Sequence, residues 1–369
     1  MPPTHKTSRQ TRSPRNRAVA TIHDVAARAG VSVATVSRVL NGKSVVRDET
    51  RVQVHEAAKA LRYVPNVAAR SLSIRRSHTI GIVMPDVHGE FFSEVIRGID
   101  LAARKAGYHI LVSGSHSDVG EMLAVLEAMR GRVDGLLLMA PDVAPSQLPE
   151  HLTAGLPLVL LNATDSTHDG MTIDNFGGAR SMMQHLVALG HRRIAFICGP
   201  GRNVDARERL RGYRHAMREL GAETQETPGH FTEESGHAAA VRILAGGPRP
   251  TAIFAANDAM AVGALAALAE AGVVVPDEMA VTGFDDIPIA RYVAPPLTTI
   301  RVDIAELGSR AFGLLNDALE RPSTRGPRRR ERLTTTLVIR KSCGAEFQNI
   351  KETKPSKERE AGQALPPRN

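Results

Sequence analysis

Ala34, Ser37, Arg38 and Asn41 stand at i, i+3, i+4 and i+7 of the run VSVATVSRVLN, so a helix there carries them on one face. Small side chains permit close approach to another surface, and a guanidinium can bond the O6 and N7 of guanine together. The chemistry this set suits is the reading of base edges in the major groove of double-stranded DNA. The solvated face of an ordinary small bundle would carry similar residues, so the flanking sequence has to decide.

The elements that must hold such a face are legible on both sides of it. Three apolar stripes recur at helical spacing, Ile22/Val25/Ala26/Ala29, Val36/Val39/Leu40 and Val54/Ala57/Ala58/Leu61. They predict three short amphipathic helices around one small core. Thr21 three residues before Asp24 marks the start of the first helix, and Gly30 ends it, leaving Val31 and Ser32 before the second. A turn that short makes two helices cross steeply, as a helix-turn-helix does.

Charge separates this piece from the remainder. Residues 1–78 hold 15 Lys+Arg against 4 Asp+Glu, net +11, whereas residues 79–369 hold 32 against 35, net −3. Basicity confined to one end is the footprint of a domain that meets a polyanion. With 4% aromatic residues and no Trp, platforms that stack single-stranded bases are not expected. Cys198 and Cys343 are far apart and in no CxxC or Cys/His cluster, so neither a disulfide framework nor a metal site is expected, and no cofactor motif is present. No run of about 20 apolar residues and no signal-peptide core occurs, which predicts a cytoplasmic protein that does not enter a membrane.

Residues 1–20 are rich in Pro, Ser, Thr and Arg without periodicity and read as a disordered basic arm. The helix-turn-helix domain is assigned to 21–64. Pro65 disfavours helix at Val64, and Asn66 is a good N-cap for a short helix from Val67 to about Ile74, so 65–77 reads as a hinge helix and linker. A helix of about eight residues is too short to stand alone in water and should order only when packed against something else.

VSVATVSRVLNG followed by YVPNVAARSL resembles the lactose-repressor (LacI/GalR) family of bacterial transcription factors, and the resemblance continues through residue 342. It implies base-reading positions at Val33, Ala34 and Arg38, with Ser32, Thr35, Ser37 and Asn41 nearby on phosphate or bases. It also implies a leucine wedge into the minor groove by Leu72, with Ala69 beside it and Asn66 and Arg70 on the DNA backbone. The partner it implies is a pseudopalindromic operator read by a homodimer, with a tetramer left open. Arg47 departs from the family pattern, which often has a helix-capping Ser there, and Asp48 is the alternative cap.

From Thr79 the pattern changes to apolar runs, TIGIVMPD, YHILVSGS, VDGLLLMA, LPLVLLNA, HRRIAFICG, TAIFAAND and MAVTGFDD, separated by amphipathic stretches such as Phe91 to Ala106 and Gly120 to Arg130. Buried strands alternating with helices mean parallel sheets with right-handed crossovers. Two such halves between 78 and 342 predict two α/β lobes and a cleft at the carboxyl ends of the strands, where Asp86, Asp174, Asn257, Asp258, Asp285 and Asp286 fall. The family resemblance agrees, since this part is similar to periplasmic sugar-binding proteins, and it places chain crossings between the lobes near 175, 300 and 333. Matched residue by residue, it implies an effector pocket that includes Phe91, Phe92, Asp174, Arg209, Phe231, Asn257 and Asp285. Arg, Asn and Asp in one cleft suit a sugar-like ligand, bonding neighbouring hydroxyls as donors and acceptors. Asp174 could equally cap the helix that starts at Asn175. RPSTRGPRRRER, residues 321–332, reads as a solvated loop before a terminal strand LTTTLVIRKS, and 343–369 as a disordered tail.

The expected fold is therefore an all-α helix-turn-helix domain with a hinge helix, followed by a two-lobed α/β effector domain with parallel sheets. The expected function is a sequence-specific transcriptional regulator, most often a repressor in such families, with operator affinity set by a small molecule. A sugar transport component would share the large domain but not the basic 21–77 segment. An α/β enzyme is the other competitor, and no GxGxxG, P-loop, HExxH or Ser/His/Asp order supports it.

Overall fold

The computed structural model describes residues 20–40, 46–64, 76–143, 155–162, 168–321 and 328–345. The chain divides into two compact units, Met1–Ser77 and His78–Asn369.

In the first unit, α1 spans Ile22–Ala29, α2 Val33–Leu40 and α3 Asp48–Ala60. Thr21 and Asp24 form a reciprocal capping box, and Gly30 adopts φ +64°, which lets its N–H and that of Val31 close the end of α1. Val25, Val36 and Val54, one from each helix, are fully buried at the centre. The expected cap of α3 needs correction. Arg47 occupies the N-cap with no side-chain bond, and Asp48 and Glu49 lie inside the first turn, where their charges favour the helix dipole.

The second unit holds two six-stranded sheets. In lobe 1, β1 (Thr79–Met84), β2 (His109–Gly114), β3 (Gly135–Met139), β4 (Leu158–Leu161), β5 (Asp169–Ile173) and β11 (Arg330–Leu333) are ordered β11-β5-β4-β3-β1-β2, all parallel. Alternate residues serve two cores. Ile80, Ile82, Leu137, Met139, Val159 and Leu161 face α4 (Glu90–Lys105) and α10 (Ile304–Glu320), while Val83, Leu136, Leu138, Leu158 and Leu160 face α5 (Val119–Met129). The backbones of α4 and α10 touch through glycine. A Cβ on Gly98 would lie 1.9 Å from Ala305 O, and one on Gly308 2.3 Å from Val95 O.

In lobe 2, β6 (Ile194–Ile197), β7 (Gln225–Thr227), β8 (Ala252–Ala255), β9 (Ala280–Asp285), β10 (Thr298–Arg301) and β12 (Thr336–Val338) are ordered β12-β10-β9-β8-β6-β7, with only β12 antiparallel. Around it lie α6 (Asn175–Ala188) packed on α7 (Val204–Leu220), and α8 (Glu233–Ala245) packed on α9 (Asp258–Glu270).

The chain passes between lobes at Asp174, at 302–303 and at 334–335. Two elements differ from expectation here. The charged stretch before residue 333 is not all loop, because Arg330–Leu333 pairs with β5 at the sheet edge, where exposed Arg330 and Arg332 are tolerated. The single terminal strand is in fact divided by the third crossing, its two parts joining different sheets.

Candidate functional site

The face of α2 is set by which residues the core claims. Val36 and Val39 are buried, Ala34 and Arg38 are exposed, and Arg38 forms no ion pair among the described residues. Ser32 Oγ accepts the Thr35 N–H at 3.2 Å and lies 2.9 Å from Thr35 Oγ1, so these two hydroxyls fix the start of the helix. Val33 is half-buried against the core. An exposed guanidinium beside an alanine, on a helix capped this way, can enter a major groove without steric obstruction.

The second site is a cavity of about 790 Å³ between the carboxyl ends of the strands of both lobes. Lobe 1 contributes the start of α4 with Phe91 and Phe92, whose rings meet edge to face at 5.6 Å, together with Asp142 after β3 and Asn162 after β4. Lobe 2 contributes Asp205 and Arg209 from one face of α7, Phe231 from the loop before α8, Asn257 at the start of α9, and Asp285 at the end of β9. The lobes touch at the rim. Ile289 N–H donates to Glu90 Oε2 at 2.9 Å, and Val204 N–H to Pro141 O at 3.1 Å.

Arg209 organises the lobe 2 wall. Its Nε donates to Asn175 Oδ1 at 2.9 Å and its Nη1 to Ala256 O at 2.6 Å, while Nη2 lies 2.9 Å from Asp285 Oδ1. Its guanidinium also covers the Phe284 ring at 3.9 Å. Asn257 is engaged too, its Oδ1 capping α9 through Met260 N–H and its Nδ2 donating to Phe231 O, which fixes the aromatic wall. Behind these, Asp258 accepts from Thr299 Oγ1 and Ile287 N–H, and burial drives its carboxyl well above the usual range.

Acceptors in the cavity remain without a partner. Asp142 Oδ1 and Asn162 Oδ1 are buried with no hydrogen bond among the described residues, and Asp285 Oδ1, equally buried, has the Arg209 ion pair. Buried acceptors left open carry a cost that a ligand hydroxyl removes. Backbone strain gathers at the same place. Of eight described non-glycine residues at positive φ, five line this cavity: His116, Ser117, Asn162, Phe231 and Asp285.

Residues 21–66 match the bacterial regulatory proteins of the lacI family, and residues 183–343 match a periplasmic binding protein-like domain. The chain is 37% identical over 332 residues to the ribose operon repressor of Escherichia coli strain K12, covering 88% of this chain and 100% of that protein. The chain belongs to the LacI family. It is also 37% identical over 334 residues to the HTH-type transcriptional repressor PurR of Erwinia tasmaniensis, covering 88% and 97%. Among solved structures, the lac repressor dimer bound to operator and the anti-inducer ONPF superposes with a TM-score of 0.80 at 32% identity, covering 89% of this chain and 100% of that one. A LacI family regulator from Enterococcus faecium with bound ribose gives 0.65 at 27% identity, covering 72% and 98%.

Of the pocket residues expected for this LacI family chain, Phe91, Phe92, Arg209, Phe231, Asn257 and Asp285 line one cavity. Asp174 does not. It caps α6, accepting the Gly177 N–H at 3.3 Å, and lies 3.7 Å from Arg332 Nη1 where the lobes join. Asn41, Asn66, Ala69, Arg70 and Leu72 lie outside the described residues, as do most of the hinge segment, the basic arm and the tail beyond residue 345. Asp142, Asn162 and Asp205 were not anticipated. Asp205 carried a signal, since it stands four residues before Arg209 on the same helical face. The other two follow strands in segments with no periodicity. Among the described residues no cluster could hold a metal ion, and no helix is long and apolar enough to cross a membrane.

Proposed function

We propose that this protein is a homodimeric, sequence-specific transcriptional repressor of the cytoplasm, without catalytic activity, whose affinity for a pseudopalindromic operator is set by a sugar or sugar derivative in the cleft. The carrying observation is the Arg209–Asp285 ion pair set among unpartnered acceptors in a cavity shared by both lobes. Donors and acceptors interleaved in that way match a polyhydroxy compound, each of whose hydroxyls both donates and accepts.

Because the cavity draws on both lobes, an occupant that bonds to each selects one lobe angle from those the crossings at Asp174, 302–303 and 334–335 permit. Transmission is assigned to residues 65–77, where the sequence predicts a helix too short to persist without a packing partner. In the paired protein Asn66 and Arg70 meet the DNA backbone, Ala69 and Leu72 enter the minor groove, and Ser32, Val33, Ala34, Thr35, Ser37, Arg38 and Asn41 serve the major groove and its phosphates. The relatives named as repressors, and the ribose bound in an Enterococcus faecium structure, support this reading.

The test is fluorescence anisotropy of full-length protein on a pseudopalindromic operator selected from random duplexes, with and without a panel of sugars. A preference for the selected site that one sugar shifts is expected. Equal affinity for selected and random duplex at physiological salt, with sugar binding intact, would contradict it.

A further inference from the structure

Charge in the cavity is unevenly shared. Arg209 is the only Lys or Arg among the described lining residues, and Asp285 already pairs with it. Asp205 must share that one guanidinium with Asp285, and Asp142 has no cation of its own in the lining. The segments that follow β3 and β4 and lie outside the described residues, 144–154 and 163–167, contain neither Lys nor Arg.

These two carboxylates line the cavity from opposite lobes, on chain segments that touch. Val204 N–H, next to Asp205, donates to Pro141 O, next to Asp142, across the gap between the lobes. Asp205 is buried and accepts from Asn175 Nδ2 at 2.7 Å, a neutral donor that brings no charge. Asp142 keeps an unpartnered buried Oδ1. Burial raises both carboxyls above the usual range; at Asp205 the Arg209 guanidinium opposes the rise, while Asp285 and then Asp142 add to it as like charges. Arg202 and Arg207 act on Asp142 from outside the lining, and the lining histidines are exposed at the mouth, where His116 is paired with Glu121.

The geometry points to Asp142 and Asp205 as a charge filter, so that the cleft takes a polyhydroxy ligand bearing no anionic group, neutral or with an amine, and rejects phosphate esters and sugar acids. This rests on the reading of the cleft as a sugar site. A phosphate or carboxylate facing the buried Asp205 and the half-buried Asp142 meets like-charge repulsion, whereas hydroxyl and ammonium hydrogens find the open acceptors they need.

The experiment is isothermal titration of the full-length protein at pH 7.5 with matched sets: ribose and ribose 5-phosphate; galactose, galactosamine, galactose 6-phosphate and galacturonate; glucose, glucosamine, glucose 6-phosphate and gluconate. In the set that binds, the neutral or amino compound is expected to exceed its anionic counterparts by at least about tenfold, the scale of one like-charge clash. An anionic member binding as tightly as its neutral parent overturns the filter and leaves the sugar reading standing. Binding of no member, in any charge state, overturns both. The double variant Asp142→Asn/Asp205→Asn, its fold checked by circular dichroism, should shrink the gap to a few fold, and an unchanged gap in a folded variant overturns the assignment to these residues. If the double variant fails to fold, Asp142→Asn alone, at a half-buried loop position, should narrow the gap in part, and no narrowing counts against it.

Discussion

Arg209 Nη2 stands 2.9 Å from Asp285 Oδ1 with the two side chains only 4% and 5% exposed, and Asp285 holds φ +111° to keep its carboxylate there. Few residues adopt that backbone angle without a surrounding structure that imposes it. The pair therefore couples the end of β9 to the cavity face of α7, and any ligand that bonds to both is read by the lobe as a whole. Replacing Asp285 by Asn keeps the shape but leaves a buried guanidinium without its counter-charge, which typically costs about 3–5 kcal/mol of stability. Asp285→Asn is expected to lower the thermal midpoint of the effector domain and to abolish the response of operator binding to ligand, while unliganded operator binding persists. Loss of operator binding without ligand, in a folded variant, would show that the pair serves the DNA-binding unit instead.

Arg38 gives a sharper test of the reading helix. It is exposed, on the face opposite buried Val36 and Val39, and free of ion pairs among the described residues. Arg38→Ala is expected to cost roughly 1–3 kcal/mol on the cognate operator and little on random duplex, measured by anisotropy titration. An equal loss on both duplexes would assign the residue to phosphate contacts rather than to bases.

Acid should stabilise the cavity through Asp205. Burial lifts its carboxyl to about 6, against 3.8 when free, with Asp285 and Asp142 adding to the rise and Arg209 opposing it. Between those two values the folded state binds a proton that the unfolded chain does not, so for this group stability rises as pH falls from 7 toward 4. Asp205→Asn removes the penalty of the buried charge, at most about 3 kcal/mol for a shift of roughly two units. The variant is expected to melt higher than the parent at pH 7.5, with the difference closing by pH 5. A difference independent of pH would mean that lost hydrogen bonding, not charge burial, governs the position.

Helix contact in lobe 1 can be tested with two glycines of α10. Gly308 faces the Val95 carbonyl so closely that a Cβ would sit 2.3 Å from it, whereas a Cβ on Gly313 would meet nothing within 4 Å. Gly308→Ala should force α4 and α10 apart and destabilise by about 1–3 kcal/mol in urea denaturation. Gly313→Ala should be neutral or slightly stabilising, since alanine favours helix by about 1 kcal/mol. Equal effects at both positions would contradict the packing described.

Much of this architecture was legible in the residues, and the failures have physical causes. Strands buried on both faces announce themselves by composition, so Thr79–Met84, Gly135–Met139 and Ala280–Asp285 stood out. The edge strand Arg330–Leu333 did not, because one of its faces meets solvent and its side chains look like those of a loop. Thr21, Asp24 and Gly30 announced α1 through capping chemistry, which is local. Arg47 has no such chemistry, and the start of α3 follows from packing instead. In the cleft, the family resemblance points to Arg209 and Asp285, and both line the cavity. Asp174 was misplaced because a helix cap and a ligand contact ask for the same carboxylate, and only the path of the chain between lobes separates them. Asp142 and Asn162 owe their roles to where their strands end in space.

The central claim is that cleft occupancy and operator binding share one conformational equilibrium, and thermodynamic reciprocity makes that directly measurable. Ligand affinity should be titrated by calorimetry on the free dimer and on the dimer saturated with operator, and operator affinity by anisotropy with and without ligand. The account predicts that both affinities change by the same factor, of order 5- to 150-fold. A ligand affinity identical in free and operator-bound protein would contradict it.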